Sequence, residues 1–313
     1  LFQKQDVKGA RLLIGEKLEQ VSDFKMPMPC HSSNPIKTFF RNQLTNRPVL
    51  PGSSLKGAIR SVLFTYLRDN ERDNASVFGN MKDGSDFMRF IRVGDFEFPA
   101  RSTELVNTKI YNLEQSQRAW RGAWKHSAHE TTSDFDEYGF NTIYECLPVG
   151  VKTNGSIMLA KHLFDLLLSN HIAISHQDKK QQILNNSKEY LCRIINQHTK
   201  RYLEKELQFF KKYAEGENSY YLTEQVEFVG SIPELLDTIE DLQPNECVIK
   251  LSAGAGFHSI TGDWQFSDYV SGVLDQKRNK DGAKPKSRKI AITQEGEDAF
   301  FDLMGFVKLT FED

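Results

Sequence analysis

The 313-residue sequence predicts an α+β protein, and three features carry that reading. Short apolar runs bounded by turn residues, such as Pro48-Val49-Leu50 and Val248-Ile249-Lys250-Leu251, recur towards both ends of the chain and read as strands. Residues 161–213 instead carry apolar side chains at helical spacing. Between the two, Pro51-Gly52 joins a strand-like run to an amphipathic one, the punctuation of a strand–turn–helix unit.

Taken in order, residues 11–18 are a short apolar run meeting Gly15, followed by a Pro- and Ser-containing loop over 26–35. After Pro48-Val49-Leu50, Ser53 or Ser54 is expected as the N-cap of a helix apolar at Leu55, Ile59, Val62, Leu63, Tyr66 and Leu67. A turn near Asp83-Gly84 precedes strands at 89–95 and 108–111. Residues 118–126 are read as helical, with Trp120 and Trp124 on one face and Arg121 and Lys125 on the next. Strands follow over 142–146 and from Ser156. A helical region runs from 161 to 213 with a break near Ser175-His176-Gln177. A strand over 247–251 leads to a glycine-rich loop, and an alternating strand closes the chain over 304–311. The organisation expected is two parts, residues 1–160 and 161–313.

Four segments bear on chemistry. The helix start at Pro51-Gly52-Ser53-Ser54-Leu55-Lys56-Gly57 aims backbone amides outward, with Lys56 and Arg60 one turn apart, and suits a phosphate. Gly52 and Gly57 have the spacing of a P-loop, but Ala58 stands where its lysine must be, which argues against a mononucleotide; an ordinary capped helix is the other reading. Trp120 and Trp124 with Arg121 and Lys125 offer stacking rings and cations to a single strand, or simply two aromatic anchors for the core. Ser252-Ala253-Gly254-Ala255-Gly256-Phe257-His258 lacks the third glycine of a dinucleotide fingerprint at Ser259; it is either a tight turn or a place where a ligand backbone comes close. Residues 276–289, with Lys286 and Arg288 among seven cations and one acid, form a solvated run or a salt-sensitive phosphate attractant.

Composition excludes other classes. A net charge of -2 requires any nucleic-acid surface to be local, and 39% hydrophobic residues with no long apolar run predict a soluble protein without membrane span or signal peptide. Cys30, Cys146, Cys192 and Cys247 form no CxxC pair, so neither a zinc ribbon nor a disulfide framework is expected and a reducing cytoplasm is the natural setting. No cofactor or metal is expected: His126, His129 and Glu130 fit no zinc motif, and no carboxylate cluster accompanies His171, His176 or His198 in the sequence. The start at Leu1 reads as a fragment or a truncated N-terminus.

The segment from Pro51 to Gly57 closely resembles the Pro-Gly-Ser-Ser-hydrophobic-Lys-Gly segment of the RAMP superfamily, RNA-binding proteins of CRISPR systems. Phe90-Ile91-Arg92-Val93-Gly94-Asp95, Tyr144-Glu145 with the turn after it, and Gly305-Phe306-Val307-Lys308-Leu309 resemble segments of its Csm subunits. The order of elements is most like the fifth-subunit family of type III-A Csm effector complexes. The opening run departs from the family turn, since Leu13 stands where a histidine is usual and the second glycine is missing. The resemblance implies ferredoxin-like (RRM-like) RAMP domains with helical and loop insertions. It also implies a non-catalytic subunit that binds CRISPR RNA and caps the 3′ side of the filament. Its partners would be the adjacent backbone RAMP subunit, a small helical subunit and separate nucleases that mature the guide. On this reading Ser53, Ser54, Lys56 and Arg60 meet phosphates and Gly254, Gly256, Phe257 and His258 form a second wall. Two alternatives stay open: a RAMP ribonuclease using Asp23 or His31, and a scaffold whose long helices do the work.

Overall fold

The computed structural model describes residues 17, 25–30, 35–69, 71, 73–116, 119–127, 130–132, 135, 140–185, 187–214, 227–251, 253, 287–295 and 298–312. Strand β1 (Val49–Leu50) leads into helix α1 (Gly52–Leu67), then come α2 (Asn74–Phe78), a 3-10 turn (Phe87–Phe90), β2 (Ile91–Val93) and β3 (Phe96–Glu97). Strands β4 (Glu104–Ser116), β5 (Ala119–Lys125), β6 (Thr131–Thr132), β7 (Thr142–Cys146) and β8 (Ile157–Leu159) follow. Helices α3 (Lys161–Ser169), α4 (Gln177–Asn185), α5 (Ser187–Ala214) and α6 (Glu227–Glu240) precede β9 (Glu246–Lys250), β10 (Arg288–Glu295), β11 (Asp298–Asp302) and β12 (Phe306–Thr310). The mixed α and β content matches the expectation, including the helix break at 175–177. Among the described residues, no helix is long and apolar enough to cross a membrane.

The strands form one six-stranded sheet and three two-stranded ribbons, β1–β3, β2–β8 and β9–β12. Strand β4 organises the sheet. Its residues Asn107 and Thr108 pair with both β7 and β10, and Tyr111 pairs with both β10 and β5, so β7 and β5 share one edge of β4 and β10 takes the other. Residues 119–125 are thus strand, a correction of the helix read over 118–126. Alternating aromatic and basic residues fit a period of two as well as of four, and cross-strand packing decides: Tyr111 faces Trp124 with ring centroids 5.5 Å apart and nearly perpendicular. Strands β10 and β11 and helix α6 went unread in the sequence.

Two apolar cores result. The first gathers Leu55, Ile59, Val62, Leu63 and Leu67 of α1 with Phe78, Phe87, Phe164, Ile183, Leu191 and Ile195. The second gathers Tyr111, Leu113 and Trp124 of the sheet with Leu203, Phe209 and Phe210 of α5 and Phe301 of β11. Both draw on residues from each side of position 160, so packing ties together the two parts expected from sequence. Helix α5 contributes its first half to one core and its second half to the other.

Helix α1 is fixed at its start by close approach. A Cβ on Gly52 would lie 2.4 Å from the Val93 carbonyl oxygen and 2.6 Å from that of Gly94, so only glycine lets the helix abut the β2–β3 connection. Between α5 and β10, Glu206 and Arg288 form a buried ion pair with Nε–Oε2 2.6 Å, and the guanidinium lies 3.9 Å from the centre of the Phe209 ring. Beside them Lys250 of β9 is buried with its ammonium over the Phe306 and Tyr202 rings, and burial pushes its pKa down to about 8 against the help of Glu206.

Gly52→Ala is expected to destabilise the fold by about 1–3 kcal/mol, the usual cost of overpacking, read as a lower urea midpoint. Lys250→Met should do the opposite at pH 7, raising Tm, because the buried ammonium is unfavourable and Glu206 keeps Arg288. A depressed lysine pKa means the unfolded chain holds the proton more tightly, so the native protein gains stability as pH rises from about 8 towards the unfolded value of about 10.4. The advantage of Lys250→Met over wild type should therefore shrink across that window; an advantage independent of pH would refute the assignment.

Candidate nucleic-acid interface

The backbone at Pro51 is extended (φ -61°, ψ 134°) and the helix begins at Gly52 without a side-chain cap of its own. Ser53 and Ser54 therefore do not cap α1, a correction of the sequence reading; both lie in its first turn and are exposed. The capping acceptor comes from elsewhere: Gly52 N–H donates to Asp95 Oδ1 at 2.7 Å. Asp95, just beyond β2, was visible only as the end of a strand, and nothing in its spacing pointed back 43 residues. Its carboxylate already occupies part of the positive helix end, so an anion arriving there meets a negative neighbour.

Positive charge and open surface lie one turn further on. Lys56 is partly exposed and has no ion-pair partner among the described residues. Gly57 is exposed, and among the described residues nothing lies within 4 Å of where its Cβ would sit. A mid-helix glycine costs about 1 kcal/mol against alanine, and no packing among the described residues requires it. Ser53, Ser54 and Gly57, at i, i+1 and i+4, make a strip of small residues beside Lys56. Arg60 is held rather than free. Its guanidinium lies 4.2 Å over the Phe78 ring, donates to Asn74 Oδ1 at 3.5 Å and stands 3.9 Å from Asp86 Oδ1, yet its side chain keeps 36% exposure.

The other sequence candidates separate. Trp124 is 1% exposed and packs against Tyr111, Phe135 and Phe301, so it anchors the sheet and cannot stack on a base. Arg288, at 8% exposure, is consumed by Glu206 and is likewise withdrawn from the surface. These two corrections share a cause: each side chain falls on the inward face of a strand. Lys125 keeps partial exposure with its ammonium 4.8 Å from the centre of the Phe140 ring. Trp120 and Arg121 sit in β5 opposite Gln115 and Glu114, and their side chains lie outside the described residues. Gly254, Gly256, Phe257, His258 and Lys286 also lie outside them, as do Asp23 and His31. The glycine loop is nonetheless tethered where it begins, since Lys289 Nζ donates to the Ala253 carbonyl at 2.9 Å and to Tyr144 Oη at 2.8 Å. His126 and Glu130 form a polar turn, with His126 N–H donating to the Glu130 carbonyl at 3.0 Å. His176 departs from expectation: Asp69 and Glu71 flank it, brought there by the fold from over 100 positions away.

A family model described as the RAMP superfamily matches residues 32–223, well over half of the chain. Among curated proteins there is no match. Solved structures alike in fold include the following two. One is a chain of a Csm-crRNA-target RNA ternary complex of a type III-A CRISPR-Cas system: identity 16%, coverage 92% of this chain and 78% of that one, TM-score 0.57. The other is Csm5 of T. onnurineus: identity 16%, coverage 91% and 79%, TM-score 0.51. At such identity the likeness is one of fold, whereas the family model rests on the sequence itself. The chain belongs to the RAMP superfamily.

Proposed function

We propose that this protein is a non-catalytic, CRISPR RNA-binding subunit of a type III-A (Csm) effector complex, built on ferredoxin-like RAMP architecture and capping the 3′ side of its filament. The observation that carries the reading is the strip of small residues Ser53, Ser54 and Gly57 beside Lys56, which has no ion-pair partner among the described residues. An RNA backbone laid along it meets a cation, two hydroxyls and, at Gly57, one position without a side chain, while Arg60 supplies a second, fixed charge. The glycine loop from Gly254 to His258, with Lys286 beyond it, is the second wall. Membership of the RAMP superfamily supports this, as does a fold shared with chains from Csm assemblies. In such an assembly its partners are the neighbouring backbone RAMP subunit, the small helical subunit and the nucleases that trim the guide.

Gly57→Ala tests the strip by splitting stability from binding. Filling open space on a helix should raise stability by about 0.5–1 kcal/mol, while the added methyl weakens guide-RNA retention. A variant both more stable and fully competent for RNA would remove Gly57 from the interface. Lys56→Ala should weaken binding of unrelated RNA sequences alike and lower the salt slope by about one unit, measured by filter binding over a salt series. RNA should stay intact with the purified protein in magnesium and in chelator; cleavage in magnesium alone would favour the ribonuclease reading.

A further inference from the structure

At the opposite end of α1 from the RNA strip, three potential ligands converge. The chain leaves the helix at Arg68 in extended conformation (φ -62°, ψ 140°), which carries Asp69 and Glu71 across to His176 in the turn before α4. His176 has a positive φ of 51°, uncommon for a residue with a Cβ, and its side chain is only 10% exposed. Its Nε2 is buried and has no hydrogen-bond partner among the described residues. Glu71 Oε1 stands 3.5 Å from that nitrogen, and Asp69 Oδ2 stands 3.7 Å from Nδ1.

These separations are too long for good hydrogen bonds. Atoms around a shared ion are spaced differently: ligands at about 2.0–2.1 Å from a tetrahedral cation lie roughly 3.3 Å from one another. With one atom taken from each residue, the three ligand atoms all lie within 4.8 Å of one another, wider than that spacing and brought to it by modest side-chain rotation. Glu71 is also steadied on its far side, where Oε2 accepts from the Asp69 N–H at 2.8 Å, the outer hydrogen bonding that orients metal ligands. Asp69 Oδ1 instead accepts from Lys179 Nζ at 3.0 Å, a cation that competes for that carboxylate.

We infer that Asp69, Glu71 and His176 bind one transition-type divalent cation of the Zn²⁺ class, with water completing its coordination on the exposed side. One nitrogen and two carboxylates favour such an ion over Ca²⁺ or Mg²⁺, which take oxygen donors. The ion staples the end of α1 to the start of α4. Lys179 opposes it, because its ammonium holds one of the ligand carboxylates. This site is independent of the RNA strip and of the function assigned to it.

The test uses the tag-free full chain, stripped with chelator and free of RNA, titrated with Zn²⁺ by calorimetry and with Co²⁺ by visible absorption. One equivalent of Zn²⁺ should bind and raise Tm, and Co²⁺ should give ligand-field bands. His176→Gln should weaken Zn²⁺ binding by at least about 10-fold. Glu71→Gln, on a partly exposed residue, gives the same readout with less risk to folding, which circular dichroism verifies for both. Lys179→Met should tighten binding, whereas in a plain ion-pair cluster it would only loosen the strap. Absence of Co²⁺ bands, or Zn²⁺ affinity unchanged in both His176→Gln and Glu71→Gln, overturns the site.

Discussion

The contact of Gly52 with the carbonyls of Val93 and Gly94 is the constraint from which the rest of this end of the molecule follows. A helix start pressed onto the β2–β3 connection cannot slide, because any side chain at that position would overlap backbone atoms. The connection is itself pinned, with Gly94 N–H donating to the Ser156 carbonyl at 2.9 Å and β2 paired to β8 in register. Asp95 then falls where it accepts the Gly52 N–H. Once the start and direction of α1 are set, Leu55, Ile59, Leu63 and Leu67 all face the first core, and the opposite face with Ser53, Ser54 and Gly57 is left outward. Burial of that apolar face, at about 1.5–3 kcal/mol for each large aliphatic residue, holds the helix in place. The glycine decides where it is held.

The second constraint lies on α5. One helix of 28 residues supplies both cores, so the sheet is positioned relative to α1 through it. Where α5 meets β10 the contact is ionic as well as apolar. A buried pair such as Glu206 with Arg288 adds little net stability over an apolar substitute, yet removing one member is strongly unfavourable. Such a pair acts as a register pin: β10 displaced by one residue would turn Arg288 away from Glu206. Lys250 shares the site because its ammonium can lie over two aromatic rings, at the cost of a depressed pKa.

How much of this was readable in the sequence depended on range. Elements whose signal is local were legible: the helix from Gly52, the strands at 142–146 and 247–251, and the helices broken at 175–177 all carry their period and turns within a few residues. The strand at 119–125 was misread because Trp120, Arg121, Trp124 and Lys125 satisfy two periods at once, and only Tyr111 across the hairpin separates them. Arg288 looked like the end of a solvated basic run, since its partner Glu206 lies 82 positions away. Asp95 at the start of α1 and the carboxylates around His176 were unreadable for the same reason. Partner identity over such distances is a property of topology, and charge patterning along the chain does not encode it.

Asp95 also sharpens what the start of α1 can bind. An isolated helix N-terminus attracts a compact anion through its unpaired amides and dipole. Here one amide is taken and a carboxylate stands beside it, so a single phosphate seated at the end would gain the dipole and lose to like charge. A polyanion running across the first two turns avoids that conflict. It meets Lys56 directly and passes Gly57, where no side chain intervenes. The same arrangement accounts for a net charge of only -2 in a protein proposed to hold RNA: attraction is confined to a strip, and the acids need only be absent from that strip. On the proposed reading Pro51 to Arg60 serves an extended backbone as a rail, and the carboxylate that caps the helix disfavours a compact phosphate there.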